Sequence, residues 1–285
     1  ASFGKSGAYA LPLAQKLGLP LAVTYYGGDA TKTTNTKDSF IRVYNRRRAK
    51  LWREAALILP CSQFIHDELE ANGAPVGKMV VHHNTADPDR FAPGEKSDLL
   101  VFAGRWTEKK GIDTLIGALA RLGEELKGWT VRLIGDGGLK EDLVASLKAV
   151  GVEAELPGWV PADEMPKHWA EAKIAAVPSK RAKSGDAEGL PLVCIEAMLS
   201  GCALVATRHA GIPECVKDGE TGYLVDEGDE AALAERLSLM LIDRRRTDAM
   251  GEAGRAFALE AFNLQKQSRK LETYLMDLAG KAGTL

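Results

Sequence analysis

Short apolar runs alternate with amphipathic stretches along almost the whole chain. The runs are rich in Val, Ile, Leu and Ala, which is typical of buried strands. They are LAVTYY (21–26), LILPCS (57–62), MVVHH (79–83), LLVFAG (99–104), TVRLIG (130–135), KIAAVPS (173–179) and ALVAT (203–207). The stretches between them repeat apolar residues at helical spacing, most clearly at 112–126, 139–150 and 229–243. This alternation predicts an α/β fold with parallel sheets covered by helices on both faces.

A break in the pattern predicts a domain boundary. The segment DPDRFAPGEKSD (87–98) holds two prolines, a glycine and six charges, and it has no periodicity. We therefore expect an N-terminal unit over 1–92 and a complete doubly wound unit over 93–262. The first unit offers three strands and is short for its type. We expect the C-terminal helix, 263–285, either to cap the second unit or to cross back to the first.

Composition narrows the class of protein. The chain is 45% apolar and 27% charged with a formal charge of −2, which argues against nucleic acid as the main partner. Its cysteines form no CxxC pair, so we expect reduced core residues and a cytoplasmic protein. The chain shows neither a signal peptide nor an apolar run of about 18 residues. We therefore predict a chain that is neither exported nor membrane-spanning.

The loop after the run at 99–104 combines basic residues with the start of a helix. In VFAGRWTEKKGIDTLI, Gly104 and Arg105 follow the predicted strand, and Lys110 and Gly111 precede the predicted helix. Free N–H groups at a helix start attract anions. Arg adds a bidentate fork for phosphate and Lys adds a point charge. The loop is therefore predicted to bind phosphate or diphosphate; a solvated basic loop is the alternative, and this segment alone favours neither.

The stretch AEGLPLVCIEAMLSGCALVAT (187–207) places two carboxylates around an apolar helix. Glu196 lies inside the helix with no Lys or Arg within a turn, and a buried carboxylate needs a partner. Glu188 precedes the helix, beside backbone N–H groups that we expect to be free. Carboxylates bind pairs of sugar hydroxyls because each oxygen accepts a hydrogen bond. The alternative is a turn glutamate at 188 and a protein-bound glutamate at 196.

The two junctions together describe a diphosphate between two sugars, which is a nucleotide sugar. The predicted catalytic residues are Arg105, Lys110 and Glu188. The residues predicted to bind the donor are Gly104, Gly189, Leu190, Pro191, Leu192 and Glu196. We predict no metal site, because the sequence has no HExxH motif and no His/Cys cluster.

These motifs resemble those of the retaining glycosyltransferases of glycosyltransferase family four. Glu188 to Glu196 matches the family's E-x7-E motif, within the block 184–225. The family's diphosphate element, G-R-x4-K-G, is matched by Gly104, Arg105, Lys110 and Gly111. The resemblance runs from the first residues to the 270s and is most specific over 184–225.

The resemblance implies a GT-B fold, in which two Rossmann-like parallel-sheet domains face a cleft, with the first domain incomplete here. In the family, the first motif glutamate contacts the transferred sugar and the second contacts the ribose hydroxyls. The Arg/Lys pair holds the diphosphate. The implied reaction moves a sugar from a nucleoside-diphosphate sugar, with UDP favoured, to a hydroxyl of a saccharide or lipid-linked acceptor. It needs no metal and no other cofactor.

The chain departs from the family pattern at its N-terminal unit. Tyr26 occupies a position, in Thr24-Tyr25-Tyr26-Gly27, where family members usually have a histidine near the donor sugar. Tyr does not titrate near neutrality as His does. The alternative function is therefore a nucleotide-sugar-binding subunit, or an inactive homologue that needs a partner chain. We also expect self-association through the short N-terminal unit, because a missing half-domain leaves sheet edge uncovered.

Two other loops bear on the site. The resemblance implies that the nucleobase is selected by backbone contacts from Gly158-Trp159-Val160. His209 follows the run at 203–207, and we expect it to be a loop residue and not a catalyst.

The segment 39–56 is a basic amphipathic helix. The segment contains six basic residues and a single acidic residue, Glu54. One side of the predicted helix carries the apolar residues Tyr44, Leu51, Trp52 and Ala55. Such a helix lies in a membrane interface in some proteins, which predicts peripheral contact with the inner face of the membrane. The alternative, which we favour, is a core-facing apolar stripe with a solvated basic face.

Overall fold

The structure, a computed structural model, describes residues 1–31 and 39–282 as an α/β protein. Its strands are β1 (Ala22–Tyr25), β2 (Leu57–Pro60), β3 (Ser97–Ala103), β4 (Thr130–Ile134), β5 (Glu155–Gly158), β6 (Ala172–Val177), β7 (Ala203–Thr207) and β8 (Gly222–Val225). Strands β1 and β2 form a small sheet, and the others form a sheet in the order β5-β4-β3-β6-β7-β8. Each of these strand pairs is parallel. The predicted α/β fold with parallel sheets is confirmed.

Helices connect the strands and cover the sheets. They are α1 (Gly4–Lys16), α2 (Gly28–Thr31), α3 (Ser39–Glu54), α4 (Gln63–Ala71), α5 (Ile112–Leu122), α6 (Lys140–Ala149), α7 (Met165–Glu171), α8 (Leu192–Leu199), α9 (Glu230–Ile242), α10 (Arg244–Ala261) and α11 (Leu264–Ala282). Short 3₁₀ turns occur at Val76–Lys78, Glu108–Lys110, Gly123–Leu126 and Ile212–Glu214. The predicted helical stretches at 112–126, 139–150 and 229–243 contain α5, α6 and α9.

The third strand predicted for the first unit, 79–83, is wrong. This segment lies alongside β2. Val80 N donates a hydrogen bond to Ile58 O, and His82 N donates one to Pro60 O. It forms an isolated bridge between Ile58 and Met79, which is too little pairing to make a strand. Strands β5 and β8 were not predicted from apolar runs. β5 is largely exposed at the sheet edge, and β8 spans only Gly222–Val225.

The order of the larger sheet sets where a ligand can bind. β3 pairs with β4 on one side and with β6 on the other, so the strand order reverses between β3 and β6. Connections leave the carboxyl ends of these two strands in opposite directions, which opens a crevice there. The crevice lies beyond Ala103 at the end of β3 and Val177 at the end of β6.

A continuous core joins the two sheets. The buried side chains of β1, β2 and α3 belong to the same cluster as those of α8 and one face of the larger sheet. A separate cluster fills the opposite face, under α5, α6 and α9. Because the small sheet shares a core with α8, its loops are held close to the crevice.

The C-terminal helix α11 begins beside the chain that links the two sheets. Leu264 N donates to Ala86 O, and the rings of Tyr274 and His82 lie 6.5 Å apart. Residues 283–285 lie outside the described residues. The division of the chain at residues 92 and 262 stays a prediction.

The apolar stripe of the basic helix α3 faces the protein core. Tyr44, Leu51 and Trp52 are buried, and Trp52 Nε1 donates to Tyr25 Oη at 2.9 Å. The apolar side of this helix therefore packs into the core, as the alternative interpretation of this segment expected. The basic residues Arg46 and Lys50 are exposed, whereas the side chain of Arg42 lies outside the described part. No helix in the described ranges is long and apolar enough to cross a bilayer.

Candidate active site

The loop after β3 forms one wall of the crevice. Gly111, just before α5, has a φ of +62°, a backbone conformation that favours glycine. A Cβ at Gly111 would lie 1.8 Å from Pro178 O, so only glycine lets this loop approach the end of β6. The stem of Lys110 packs against Gly104. The predicted G-R-x4-K-G element is therefore folded so that its glycines allow close packing at the end of β6 and around the Lys110 stem.

Lys110 faces Glu188 across the crevice. Lys110 Nζ lies 3.0 Å from Glu188 Oε1, and Lys109 Nζ lies 3.7 Å from the same oxygen. Lys109 Nζ also lies 3.6 Å from Asp186 Oδ2. Glu188 is only 8% exposed, so its charge is balanced by these lysines. The structure thus brings two predicted catalytic residues into one ion-paired cluster. Lys109 and Asp186 complete it, and neither was among the predicted site residues.

Two cavities meet at Arg105. The first, of about 410 Å³, is bordered by Arg105, Ile134, Asp136, Trp159, Val160, Val193 and Glu196, among other residues. The second, of about 510 Å³, is bordered by Arg105, Thr107, Glu108, Lys109, Lys110, Ala182, Ser184 and Asp186. Arg105 itself is exposed, and no described carboxylate forms an ion pair with it. Its guanidinium is therefore available to an anion that spans the two cavities.

Glu196 finds its partner in a tryptophan. Trp169 Nε1 donates to Glu196 Oε2 at 3.3 Å. Burial raises the pKa of the Glu196 carboxyl, and the Trp169 hydrogen bond and the Arg90 charge oppose this shift only in part. Within residues 1–31 and 39–282, this carboxylate therefore accepts only one hydrogen bond, from a neutral donor. Hydroxyl donors in the first cavity would supply the others.

The loop between Glu188 and α8 is packed from both sides. A Cβ at Gly189 would lie 2.0 Å from Tyr26 O, so the close approach of these backbones requires glycine. Leu190 is buried beside Cys61, and burial raises the pKa of the Cys61 thiol to about 12. Pro191 is the N-cap of α8, while Leu192 is the exposed first residue of that helix.

Tyr26 touches this loop through its backbone. Its N–H donates to Asp29 Oδ1 at 3.1 Å, and its ring packs on Phe3 with 4.8 Å between centroids. Asp29 also accepts from Gly4 N and Gly27 N, so this buried carboxylate organises the whole turn. Burial raises the pKa of Asp29, and the three backbone donors oppose the shift. The sequence signal for this role is the aspartate two residues after Gly27, a common turn arrangement.

His209 is a second residue whose role the sequence did not reveal. It is 1% exposed, and its Nε2 accepts the backbone N–H of Glu188 at 3.2 Å. Its Nδ1 lies 2.6 Å from Glu227 Oε1. These contacts join residues 18 to 21 positions apart, and only the fold brings them together. The expectation that His209 is a loop residue describes its position and misses its contact with the site.

Potential metal ligands gather elsewhere. Among the described residues, His66, Asp67 and Glu70 on α4 bring ligand atoms within 4.8 Å of one another. None of the three borders either cavity. This surface group therefore says nothing about the chemistry of the crevice.

Comparison with solved structures identifies the fold. Anabaena Alr3699/HepE in complex with UDP superposes with a TM-score of 0.82 at 21% identity, covering 96% of this chain and 77% of that one. Sucrose-phosphate synthase from Thermosynechococcus elongatus superposes with a TM-score of 0.83 at 19% identity, covering 98% and 73%. These neighbours have the GT-B fold. The predicted arrangement of two Rossmann-like domains is confirmed as the fold class.

Sequence comparison identifies the family. The model of the family Glycosyl transferases group 1 matches residues 84–257. The putative colanic acid biosynthesis glycosyltransferase WcaL of Salmonella typhimurium is 31% identical over 290 residues, which cover 98% of this chain and 70% of the relative. A GDP-mannose-dependent alpha-(1-6)-phosphatidylinositol monomannoside mannosyltransferase of Mycolicibacterium smegmatis is 29% identical, covering 96% and 75%. This chain is therefore a glycosyltransferase that belongs to the Glycosyl transferases group 1 family.

Proposed function

We propose that this chain is a retaining glycosyltransferase of family four that moves a sugar from a nucleoside-diphosphate sugar to an acceptor hydroxyl. The observation that carries the proposal is the position of Arg105 between the two cavities at the switch point. A donor laid across them would place its nucleoside beside Glu196. Its diphosphate would lie at Arg105 and Lys110, and its sugar would lie beside Glu188.

The basic residues would stabilise the leaving group. Negative charge grows on the diphosphate as its bond to the sugar breaks, and preorganised cations lower the energy of that state. Lys110 is paired with Glu188 at 3.0 Å, so a bound diphosphate would compete for the lysine. Glu188 would then be free to accept hydrogen bonds from the sugar hydroxyls. Lys110 would in this way orient the diphosphate of the bound donor, and Glu188 would orient its sugar.

Retention would follow from attack on the face from which the diphosphate leaves. The acceptor oxygen forms a bond to the anomeric carbon while the bond to the diphosphate oxygen breaks. The acceptor proton passes to that departing oxygen. The protein supplies positioning and charge, and no metal takes part. Transfer that stays unchanged in EDTA would support this proposal, and transfer that needs an added divalent cation would contradict the metal-free mechanism.

The nucleobase would bind at the rim of the first cavity, where Trp159 is 72% exposed. Uridine is our first candidate, because HepE binds UDP in its crystal structure. Guanosine is the competitor, because the mycobacterial relative is named as GDP-mannose-dependent. The acceptor would be a saccharide or a lipid-linked saccharide, as the names of the colanic acid and phosphatidylinositol relatives suggest.

The direct test is transfer by the purified chain. The chain would be incubated with UDP-glucose or GDP-mannose and a panel of saccharide acceptors. NMR would give the anomeric configuration of the product. Turnover with the donor's configuration kept supports the proposal, and inversion contradicts it.

A second candidate, a donor-binding subunit or inactive homologue that needs a partner chain, is favoured by Tyr26. Its ring packs on Phe3, and it stands where the family has a histidine. Nucleotide binding without donor hydrolysis or transfer by the wild type would favour this candidate. Gain of turnover in Tyr26→His would then identify the tyrosine as the cause.

We further propose cytoplasmic location with peripheral contact at anionic membrane. The exposed basic residues Arg46 and Lys50 belong to α3, which packs against α1, and Tyr9 and Leu13 of α1 are exposed. Arg47 lies 5.5 Å from the centroid of the Tyr9 ring, so basic and apolar groups adjoin. Co-sedimentation with anionic vesicles that weakens with salt would support this contact. The same exposed apolar groups also suit self-association, which a monodisperse monomer in light scattering would contradict.

A further inference from the structure

A histidine–glutamate pair holds both ends of the loop that carries Glu188. Glu227 Oε2 accepts the N–H of Arg181 at 2.7 Å, where the loop begins. Glu227 Oε1 lies 2.6 Å from His209 Nδ1, and His209 Nε2 accepts the N–H of Glu188 at 3.2 Å. The pair therefore bridges the backbone at 181 to the backbone at 188. The intervening residues Ala182, Ser184 and Asp186 border the second cavity.

These contacts fix the tautomer of the histidine. A backbone N–H can only donate, so His209 Nε2 must be the unprotonated nitrogen. The ring proton is then on Nδ1 and is donated to Glu227. Burial raises the pKa of the Glu227 carboxyl, but the bonds from Arg181 N and His209 outweigh it and lower the pKa below the ordinary value. Glu227 is thus a charged acceptor, which makes its bond to His209 strong.

A second bond holds the same junction. Gly211 N donates to Gly189 O at 2.9 Å, next to the bond between His209 and Glu188. Ala210, between the acceptor His209 and the donor Gly211, has a φ of +49°, which costs a non-glycine residue roughly 1 kcal/mol or more. Backbone strain of this kind persists where the surroundings fix the conformation. The segment 209–211 is therefore held firmly against 188–189.

We propose that His209 and Glu227 are positioning residues for the transfer reaction. They fix the backbone at Glu188 so that its carboxylate stays beside Lys110, a residue that borders the second cavity. Neither residue borders the two cavities, so each acts through Glu188 and not on the donor. This inference rests on the proposed function, because it assigns a task to the loop that would orient the transferred sugar.

The first test compares two replacements of His209. His209→Leu keeps a similar volume and leaves the Glu188 N–H without an acceptor, so kcat should fall about 30-fold. His209→Gln keeps an acceptor oxygen and should recover activity to within about fivefold of wild type. The matched control is His66→Leu, which removes a histidine that also lies 3.1 Å from a carboxylate, Asp67, but is partly buried on α4 and borders neither cavity. Its kcat should not change.

A double-mutant cycle separates positioning from general stability. In a Glu188→Ala background, His209→Leu should lower kcat by less than twofold, because the carboxylate it positions is gone. An equal loss in both backgrounds would overturn the inference, as would equal activity of the Leu and Gln variants. If His209→Leu does not fold, Glu227→Gln takes its place in the cycle with the same expectation.

The wild type separates the two claims. If the wild-type chain transfers or hydrolyses none of the donors, the proposed function fails and the inference fails with it. If it is active and His209→Leu keeps wild-type kcat, only the positioning role is contradicted.

Discussion

At the scale of single residues, the two motif glutamates meet different surroundings. Glu188 has lysines as neighbours, with Lys110 at 3.0 Å. Glu196 has the neutral N–H of Trp169 and a pKa that burial raises. A carboxylate paired with cations suits a place where phosphate competes for those cations. A carboxylate with unfilled acceptor capacity suits hydroxyl donors.

Lys110 should matter for turnover more than for folding. Removing a cation aimed at developing charge typically costs about 100-fold or more in kcat. We expect Lys110→Ala to lose at least that much in steady-state kinetics, with a midpoint of thermal unfolding within a few degrees of wild type. Lys148→Ala, on the exposed side of α6, is the control and should keep full activity. A wild-type kcat in Lys110→Ala would contradict the proposed role of Lys110 in stabilising the leaving diphosphate.

Glu196 should make stability depend on pH with a definite sign. Its pKa is raised in the folded state, so the protonated form is favoured by folding. That contribution is present below the ordinary value of 4.5 and is lost as pH rises through the folded pKa. Glu196→Gln is uncharged throughout. Urea unfolding should therefore show the variant gaining stability relative to wild type between pH 4.5 and 8, and a constant difference would contradict this.

At the scale of elements, the site depends on how closely the loops at strand ends approach one another. The loop after β3 reaches the end of β6 at Gly111, and the loop before α8 reaches the end of β1 at Gly189. Each contact brings backbone against backbone with no room for a Cβ. Gly111 and Gly189 therefore contribute both to the stability of the fold and to the geometry of the site.

Gly111 offers a measurable case. A left-handed backbone costs a non-glycine residue roughly 1–2 kcal/mol, and displacing a packed group adds about 1–3 kcal/mol. We expect Gly111→Ala to lower the free energy of unfolding by about 3 kcal/mol in urea titrations. Gly77→Ala is the control, because no atom lies within 4 Å of the added Cβ. Equal stability of the two variants would show that the close approach to Pro178 is unimportant.

Several of the correctly predicted strands are buried on both faces. β3, β6 and β7 are nearly continuous apolar runs, and such runs are visible in a sequence. β5 was not predicted because it is exposed at the edge of the sheet and therefore has no continuous apolar run. The segment 79–83 was misassigned because an extended apolar stretch alone does not guarantee strand pairing.

At the scale of the whole molecule, the two sheets are tied together next to the crevice. Glu214, in the turn after β7, accepts the N–H groups of Gln63 and Phe64 at the start of α4. Its carboxylate also lies 3.1 Å from His83 Nε2. Tyr26 O meets Gly189 on the other side. The small sheet is therefore part of the frame around the predicted donor loop.

The sequence could predict the motif residues of the site, but not all of the residues that hold them in place. Glu188, Glu196, Arg105 and Lys110 stand at spacings that are themselves informative. Asp29 follows Gly27 at a spacing that is common in turns, whereas His209 and Glu227 act through backbone groups that are distant in sequence, so no spacing could have pointed to these two. Their roles follow from the fold alone.

The central claim is that the two cavities joined by Arg105 bind a nucleoside diphosphate. Calorimetric titration of the purified chain with UDP, GDP and ADP tests it most directly, with Arg105→Ala as the matched variant. We expect one of these nucleotides to bind the wild type, and the variant to bind it at least about tenfold more weakly, which is a loss of roughly 1.4 kcal/mol. Absence of binding to all three, or equal binding by Arg105→Ala, would contradict it.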